Sequence, residues 1–200
     1  MLTLGTCLRL VCGRESNNCT EALAGRGYGA DGGIADYVLV TNTRDILRLN
    51  GLDPVTAAPM TDAGATAFHG VNRVRGLLGA DSTAFVFGTG GLGSFAIQFL
   101  RVLTPARIVA VDMLTERRKL ALQLGAHEAI AGVDEHTLGV IRDMTAGRGA
   151  DAILDFVGLD ATINTGVAGV RPGGAYGVIG AAGGSLTANS IRAVFVCVRS

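Results

Sequence analysis

Residues 85–100 read FVFGTGGLGSFAIQFL. An apolar run stops at Gly88-x-Gly90-Gly91-x-Gly93, and an amphipathic stretch follows at once. Strand, glycine turn and helix in that order give a G-x-G-x-x-G spacing the context that an isolated match lacks. Gly88 allows the tight turn, Gly90 and Gly91 let the backbone approach a pyrophosphate, and Gly93 lets helix and strand pack closely. Thr89 lies within the same turn and is read with it as a cofactor-binding position. The helix start then offers unpaired N–H groups and a positive dipole end to an anion.

The next apolar run, IVAVD, ends at Asp112, nineteen residues after Gly93. An acid there can accept both hydrogen bonds of an adenosine ribose diol and would repel a 2′-phosphate, which favours NAD over NADP. Taken singly, the acid could be a surface Asp ending a strand and the glycines a turn serving compactness. Together they predict a dinucleotide site.

Outward from this stretch the pattern repeats. Apolar runs fall at 84–87, 108–111, 129–130, 152–156, 175–179 and 193–198, with helical candidates at 92–103, 115–124, 134–145 and 161–170. Short apolar runs alternating with helices predict an α/β fold, a doubly wound parallel sheet covered on both faces. Six strands are what a complete dinucleotide-binding Rossmann sheet needs. Upstream, residues 1–30 are loop-like, and GGIADYVLVT (32–41) reads as a strand after a Gly pair. Asp53-Pro54 breaks the chain before an Ala-rich helical stretch over 55–75, and a domain boundary is expected near residue 75.

Composition bounds the function. Of 200 residues 48% are hydrophobic and 17% charged, which excludes a disordered chain. Basic and acidic residues number 17 each, so no basic face is implied and nucleic acid is excluded as a partner. No apolar window is long enough for a transmembrane helix. MLTLGTCLRL lacks the order of a secretory signal, so the expected location is cytoplasmic. Thirty glycines, about twice ordinary usage, fit tight turns and close backbone approach to a ligand. Cys7, Cys12 and Cys19 crowd the start and read as a metal site before a disulfide framework, while Cys197 reads as a core thiol.

A reductase of the short-chain class needs a Tyr-x-x-x-Lys pair; the one lysine is Lys119, with Thr at position 115, so that class is excluded. From about Gly32 to Ser200 the chain instead resembles the zinc-dependent medium-chain alcohol dehydrogenases of the bacterial NAD-dependent secondary-alcohol type. The resemblance is carried by GGIADYVLV, by 58–66 (APMTDAGAT) and by the glycine turn. It implies a NAD-binding Rossmann domain over 76–200, a connecting helix over 55–75, and over 1–54 a remnant of a GroES-like catalytic domain holding the structural-zinc lobe and a strand. Asp62 matches the third catalytic-zinc ligand, and Thr66, one turn later, matches a residue packed on the nicotinamide. Leu92 matches an apolar contact behind that ring, and Arg117 a basic residue near the adenosine ribose. Phe156-Val157-Gly158 and Ile179-Gly180-Ala181 match the turns of the cofactor cleft. His69 reads as a core residue or as one standing behind the metal ligands rather than among them, and His127 and His136 as exposed.

The chain also departs from that family. Its cysteines are spaced Cys7-x4-Cys12-x6-Cys19, whereas a structural zinc needs four ligands at fixed geometry. The first catalytic-zinc Cys and the Gly-His-Glu segment of the family have no counterpart, so the sequence reads as truncated at both ends. The implied activity is hydride transfer between an alcohol or carbonyl substrate and NAD with zinc as Lewis acid. The alternatives are a non-catalytic NAD-binding remnant and a zinc-free, quinone-reductase-like member. By the same resemblance, the apolar run 193–198 implies a homo-oligomer joined through the last sheet strand.

Overall fold

The stretch Thr83–Phe87 forms strand β1, and all five of its residues are buried. A strand buried on both faces has no polar side to show, which is why it reads as an unbroken apolar run. The computed structural model to which it belongs describes residues 25–27, 29–40, 43, 46–186 and 194–197. The chain divides into two compact units, Met1–Pro54 and Val55–Ser200.

In the second unit β1 is joined by β2 (Arg107–Asp112), β3 (Glu128–Ala131), β4 (Ala150–Asp155), β5 (Val170–Val178) and β6 (Val194–Cys197). All neighbours are parallel, in the order β3-β2-β1-β4-β5-β6. Five strands lie in the continuous run 46–186, and β6, described in its backbone pairing alone, adds to the edge of β5. The strand order reverses between β1 and β4, which opens a crevice above their carboxyl ends.

Helices α1 (Ala63–Val74), α2 (Gly91–Leu103), α3 (Thr115–Gln123), α4 (Thr137–Met144) and α5 (Asp160–Gly169) complete the unit. Alternation along β1 splits the core in two. Ala84 and Val86 meet Val71 and Val74 of α1 and Ile97 and Leu100 of α2 on one face. Phe85 and Phe87 meet Ile141 of α4 and Ile163 of α5 on the other. Each of these fully buried large side chains contributes about 1.5–3 kcal/mol. Helix α2 stops at Thr104, which is extended, as expected for the residue before Pro105.

At the amino ends of the strands, buried Asp151 accepts the Thr83 N–H at 2.8 Å and the Arg171 Nε–H at 2.6 Å. One carboxylate thereby ties β1, β4 and β5 together.

Two local expectations fail. The helix expected over 55–75 is three pieces: an α turn Pro54–Ala57, a 3-10 turn Ala58–Thr61, and α1 beginning after Asp62. Pro59 has no N–H to donate and disfavours α geometry at Ala58, and the chain resets at Asp62 (φ −121°, ψ −75°) before α1 starts. The strand expected over 32–41 is also absent among the described residues of that stretch, since residues 31–40 carry no regular element. A strand needs a neighbour to complete its ladder, and among the described residues no second strand aligns with this run. Its apolar side chains, Ile34 and Tyr37 among them, are exposed. Nearby, Gly25–Arg26 and Gly29–Ala30 form a two-residue pairing.

Candidate active site

The glycine turn is sterically locked. Gly88 has φ +78°, and a Cβ there would stand 2.6 Å from Val157 Cγ2. A Cβ on Gly93 would stand 1.9 Å from the carbonyl oxygen of Gly88, so α2 can lie this close to the turn only without a side chain at 93. Gly90 and Gly91 differ. Gly90 is extended and precedes the helix with no side-chain cap, and a Cβ on Gly91 would meet nothing within 4 Å. The first N–H groups of α2 have no partner within their own helix and no side-chain cap.

Above them lies a cleft of about 320 Å³ lined by Gly88, Gly90, Gly91, Leu92, Gly93, Arg117, Phe156 and Val157. The structure thus brings eight of the sequence-predicted positions together. Thr89 is buried beneath the loop. Gly158 (φ +74°) is packed on Gly180, whose carbonyl oxygen lies 2.2 Å from where a Cβ on Gly158 would stand. Ile179 is buried and Ala181 exposed on the turn after β5.

Asp112 ends β2 but is 6% exposed. Its Oδ2 accepts the Thr89 N–H at 2.9 Å and the Thr89 hydroxyl at 3.2 Å, and its Oδ1 accepts the Leu114 N–H at 2.9 Å. Arg117 Nη1 stands 3.8 Å from Oδ2, with half of its side chain exposed, and the residue lines the cleft. The acid is therefore not a free surface group. It ties the end of β2 to the glycine turn, and Arg117 brings a positive charge to the same place.

Asp62 and Thr66 lie apart from the cleft lining. Asp62 is exposed, and its carboxylate does not cap α1; its carbonyl oxygen accepts the Thr66 N–H at 2.8 Å. Thr66 is half-buried. Among the described residues no three His, Cys, Asp or Glu side chains group as metal donors. Cys7, Cys12 and Cys19 fall outside the described residues. The described donor set thus does not fit a zinc ion. His69 receives a weak contact from Arg73 Nε at 3.4 Å, and exposed His127 accepts the Ile108 N–H through Nδ1 at 2.9 Å.

Asp155 and Tyr176 were not legible as site residues. Asp155 is the last residue of β4 and sits beneath the 156–158 turn, hydrogen-bonded to buried Tyr176. The available signal was an acid closing an otherwise apolar strand immediately before a glycine-containing turn. Among the described residues, no helix is long and apolar enough to cross a membrane.

Comparison with known proteins bears on this site directly. The profile of a family described as zinc-binding dehydrogenase matches residues 91–198. A NAD-dependent alcohol dehydrogenase of Sulfolobus acidocaldarius is 36% identical over 160 residues, 80% of this chain and 45% of its own length. A D-arabinose 1-dehydrogenase (NADP(+)) of Saccharolobus solfataricus is 34% identical over 139 residues, 68% of this chain and 39% of its own. Among solved structures, the alcohol dehydrogenase of the hyperthermophilic archaeon Aeropyrum pernix superposes with a TM-score of 0.85 at 32% identity, covering 96% of this chain and 57% of that one. The chain spans about half the length of the relatives it matches.

Proposed function

The chain belongs to the zinc-binding dehydrogenase family, and on that premise we propose that its cleft binds NAD for hydride exchange with an alcohol or carbonyl substrate. The carrying observation is the contact between Gly93 and the Gly88 carbonyl, which leaves the amino end of α2 open to the cleft. That cradle fits a pyrophosphate, since the turn and helix can lie this close only without side chains at 88 and 93, and the helix N–H groups face an anion favourably. When bound, NAD supplies the hydride acceptor, and the protein supplies binding and orientation.

Each residue has a part in this reading. Gly90, Gly91 and the start of α2 hold the pyrophosphate. Asp112, held by Thr89, takes the adenosine ribose and repels a 2′-phosphate, with Arg117 beside it. Leu92, Phe156 and Val157 form the apolar wall that excludes water from the other half of the dinucleotide, completed by Gly158, Ile179, Gly180 and Ala181. Thr66, outside the cleft lining, takes its place in this reading from the family resemblance, which packs that position of α1 on the nicotinamide. Asp62 is the one described member of the implied zinc set, and no step is assigned to the metal. The finer reading is a secondary-alcohol dehydrogenase with a catalytic-domain remnant over 1–54. Strand β6, at the sheet edge, offers pairing to a second copy.

Titration of the full chain with NADH, followed by nicotinamide fluorescence, tests this. Saturable binding that NADPH competes for only weakly is expected. No binding, or equal binding of the two, would sink the reading of the cleft or of Asp112 respectively.

A further inference from the structure

Asp155 is fully buried, and it uses both its side chain and its main chain to hold the cleft. Oδ1 accepts the N–H groups of Val157 at 2.8 Å and Gly158 at 3.0 Å. Oδ2 accepts the phenol of Tyr176 at 2.7 Å. The main-chain carbonyl receives the N–H groups of Ile179 at 2.8 Å and Gly180 at 2.9 Å. One residue therefore fixes both turns that leave β4 and β5 at the crevice.

The surroundings are shaped for this contact. Tyr176 is also fully buried, and the space for its ring comes from α5, where a Cβ on Gly166 would stand 2.2 Å from Tyr176 Cε2. Burial, and then the neighbouring carboxylate, push the phenol far above its usual range, so it stays a hydrogen-bond donor. A carboxylate in a core is costly unless fully bonded; here five donors converge on one residue, and two of the three on its side chain belong to a backbone turn. Val157, the residue so aimed, lines the cleft over Gly88. In a crevice of this kind the adenosine half lies toward the acid ending β2, which puts the other half over β4 and β5.

We propose that Asp155 and Tyr176 are a buried positioning pair that sets the 156–158 and 179–180 turns against the nicotinamide half of the dinucleotide. The inference rests on the reading of the cleft as a NAD site. Both side chains are fully buried and neither lines the cleft, so the pair acts through the turns alone.

The test uses the full chain with three ligands, NADH, ADP-ribose and 5′-AMP, and amide hydrogen exchange at Val157 and Gly158 without ligand. Asp155→Ala is expected to speed exchange of those amides and weaken NADH by about tenfold or more, the scale of one lost hydrogen bond to a charged group. ADP-ribose and 5′-AMP, which lack the nicotinamide, should bind as they do to the parent. Tyr176→Phe, which keeps the ring in the Gly166 notch, should give the same pattern more weakly and serves if the alanine variant does not fold. Asp155→Asn should restore NADH binding, because its amide oxygen can accept both turn N–H groups. Unchanged NADH binding in folded Asp155→Ala or Tyr176→Phe would overturn the inference, as would equal loss of all three ligands. Failure of the parent chain to bind NADH would overturn the cofactor reading first, before any variant is compared.

Discussion

The carbonyl oxygen of Gly88 occupies the space that the first side-chain carbon of any other residue at position 93 would need, 1.9 Å from that point. Gly93→Ala must therefore push α2 away from β1. Overpacking of this kind costs about 1–3 kcal/mol or more, and a fall in Tm of roughly 3–10 °C is expected. Gly91→Ala is the matched control, since its Cβ points into open space. It should leave Tm within about 2 °C, the scale of a propensity change at a helix end, yet weaken NADH by placing a methyl group in the cleft. Thermal melts beside NADH titrations of both variants check this; a Gly93→Ala protein as stable as the parent would contradict the steric account.

Asp112 is tied to Thr89 by two hydrogen bonds. Asp112→Ser removes the charge that opposes a 2′-phosphate while Arg117 stays. The ratio of NADPH to NADH affinity should rise by about tenfold or more, equal to about 1.4 kcal/mol. Paired titrations at one salt concentration measure it. An unchanged ratio would remove Asp112 from the selectivity assignment.

How much of this was written in the sequence depends on the range of the contacts. The glycine turn, β1 and Asp112 were legible because each is local: glycine positions, apolar runs and one acid at a fixed offset. The bond between Thr89 and Asp112 spans twenty-three residues, and that between Asp155 and Tyr176 twenty-one, so no periodicity announces them. Position 62 shows the opposite error. Ala-rich composition suggests one helix, but Pro59 and the reset at Asp62 divide it. The apolar run within 32–41 reads as a strand after its Gly pair, yet composition supplies only a propensity, and a ladder requires a neighbour.

Tyr176 carries a prediction at high pH. Its phenol is raised above the ordinary value of 10.0, first by burial and then by Asp155. Below pH 10 both folded and unfolded chains keep the proton. Above it the unfolded chain releases the proton while the folded chain holds it, so stability falls as pH rises. Denaturant melts should show an alkaline loss that Tyr176→Phe reduces, and ultraviolet titration should find one tyrosine that ionises only on unfolding. Equal alkaline slopes in parent and variant would refute this.

Asp134 carries the acid counterpart. Its pKa is lowered from 3.8, chiefly by the His136 N–H and then by the Thr137 hydroxyl; the hydroxyl donates at 3.0 Å. The unfolded chain takes up a proton near 3.8 while the folded one resists, so this contribution is present above that pH and is lost as pH falls through the lower folded value. Asp134→Asn keeps an oxygen that can accept the His136 and Thr137 N–H groups and should flatten the acid limb of stability. Acid melts of the two proteins compare them, and an identical limb in both would count against the assignment.

Asp151, bridging the Thr83 N–H and Arg171 at the amino ends of β1, β4 and β5, has a consequence for how this domain can change. A slip of one residue between strands would turn every side chain to the opposite face, and this pin opposes such a slip from the end of the sheet remote from the cleft. Alignment of the strands is thus insured at one pole while the chemistry is assembled at the other. The rim can exchange residues, and with them substrates or cofactor preference, without renegotiating how the strands are paired.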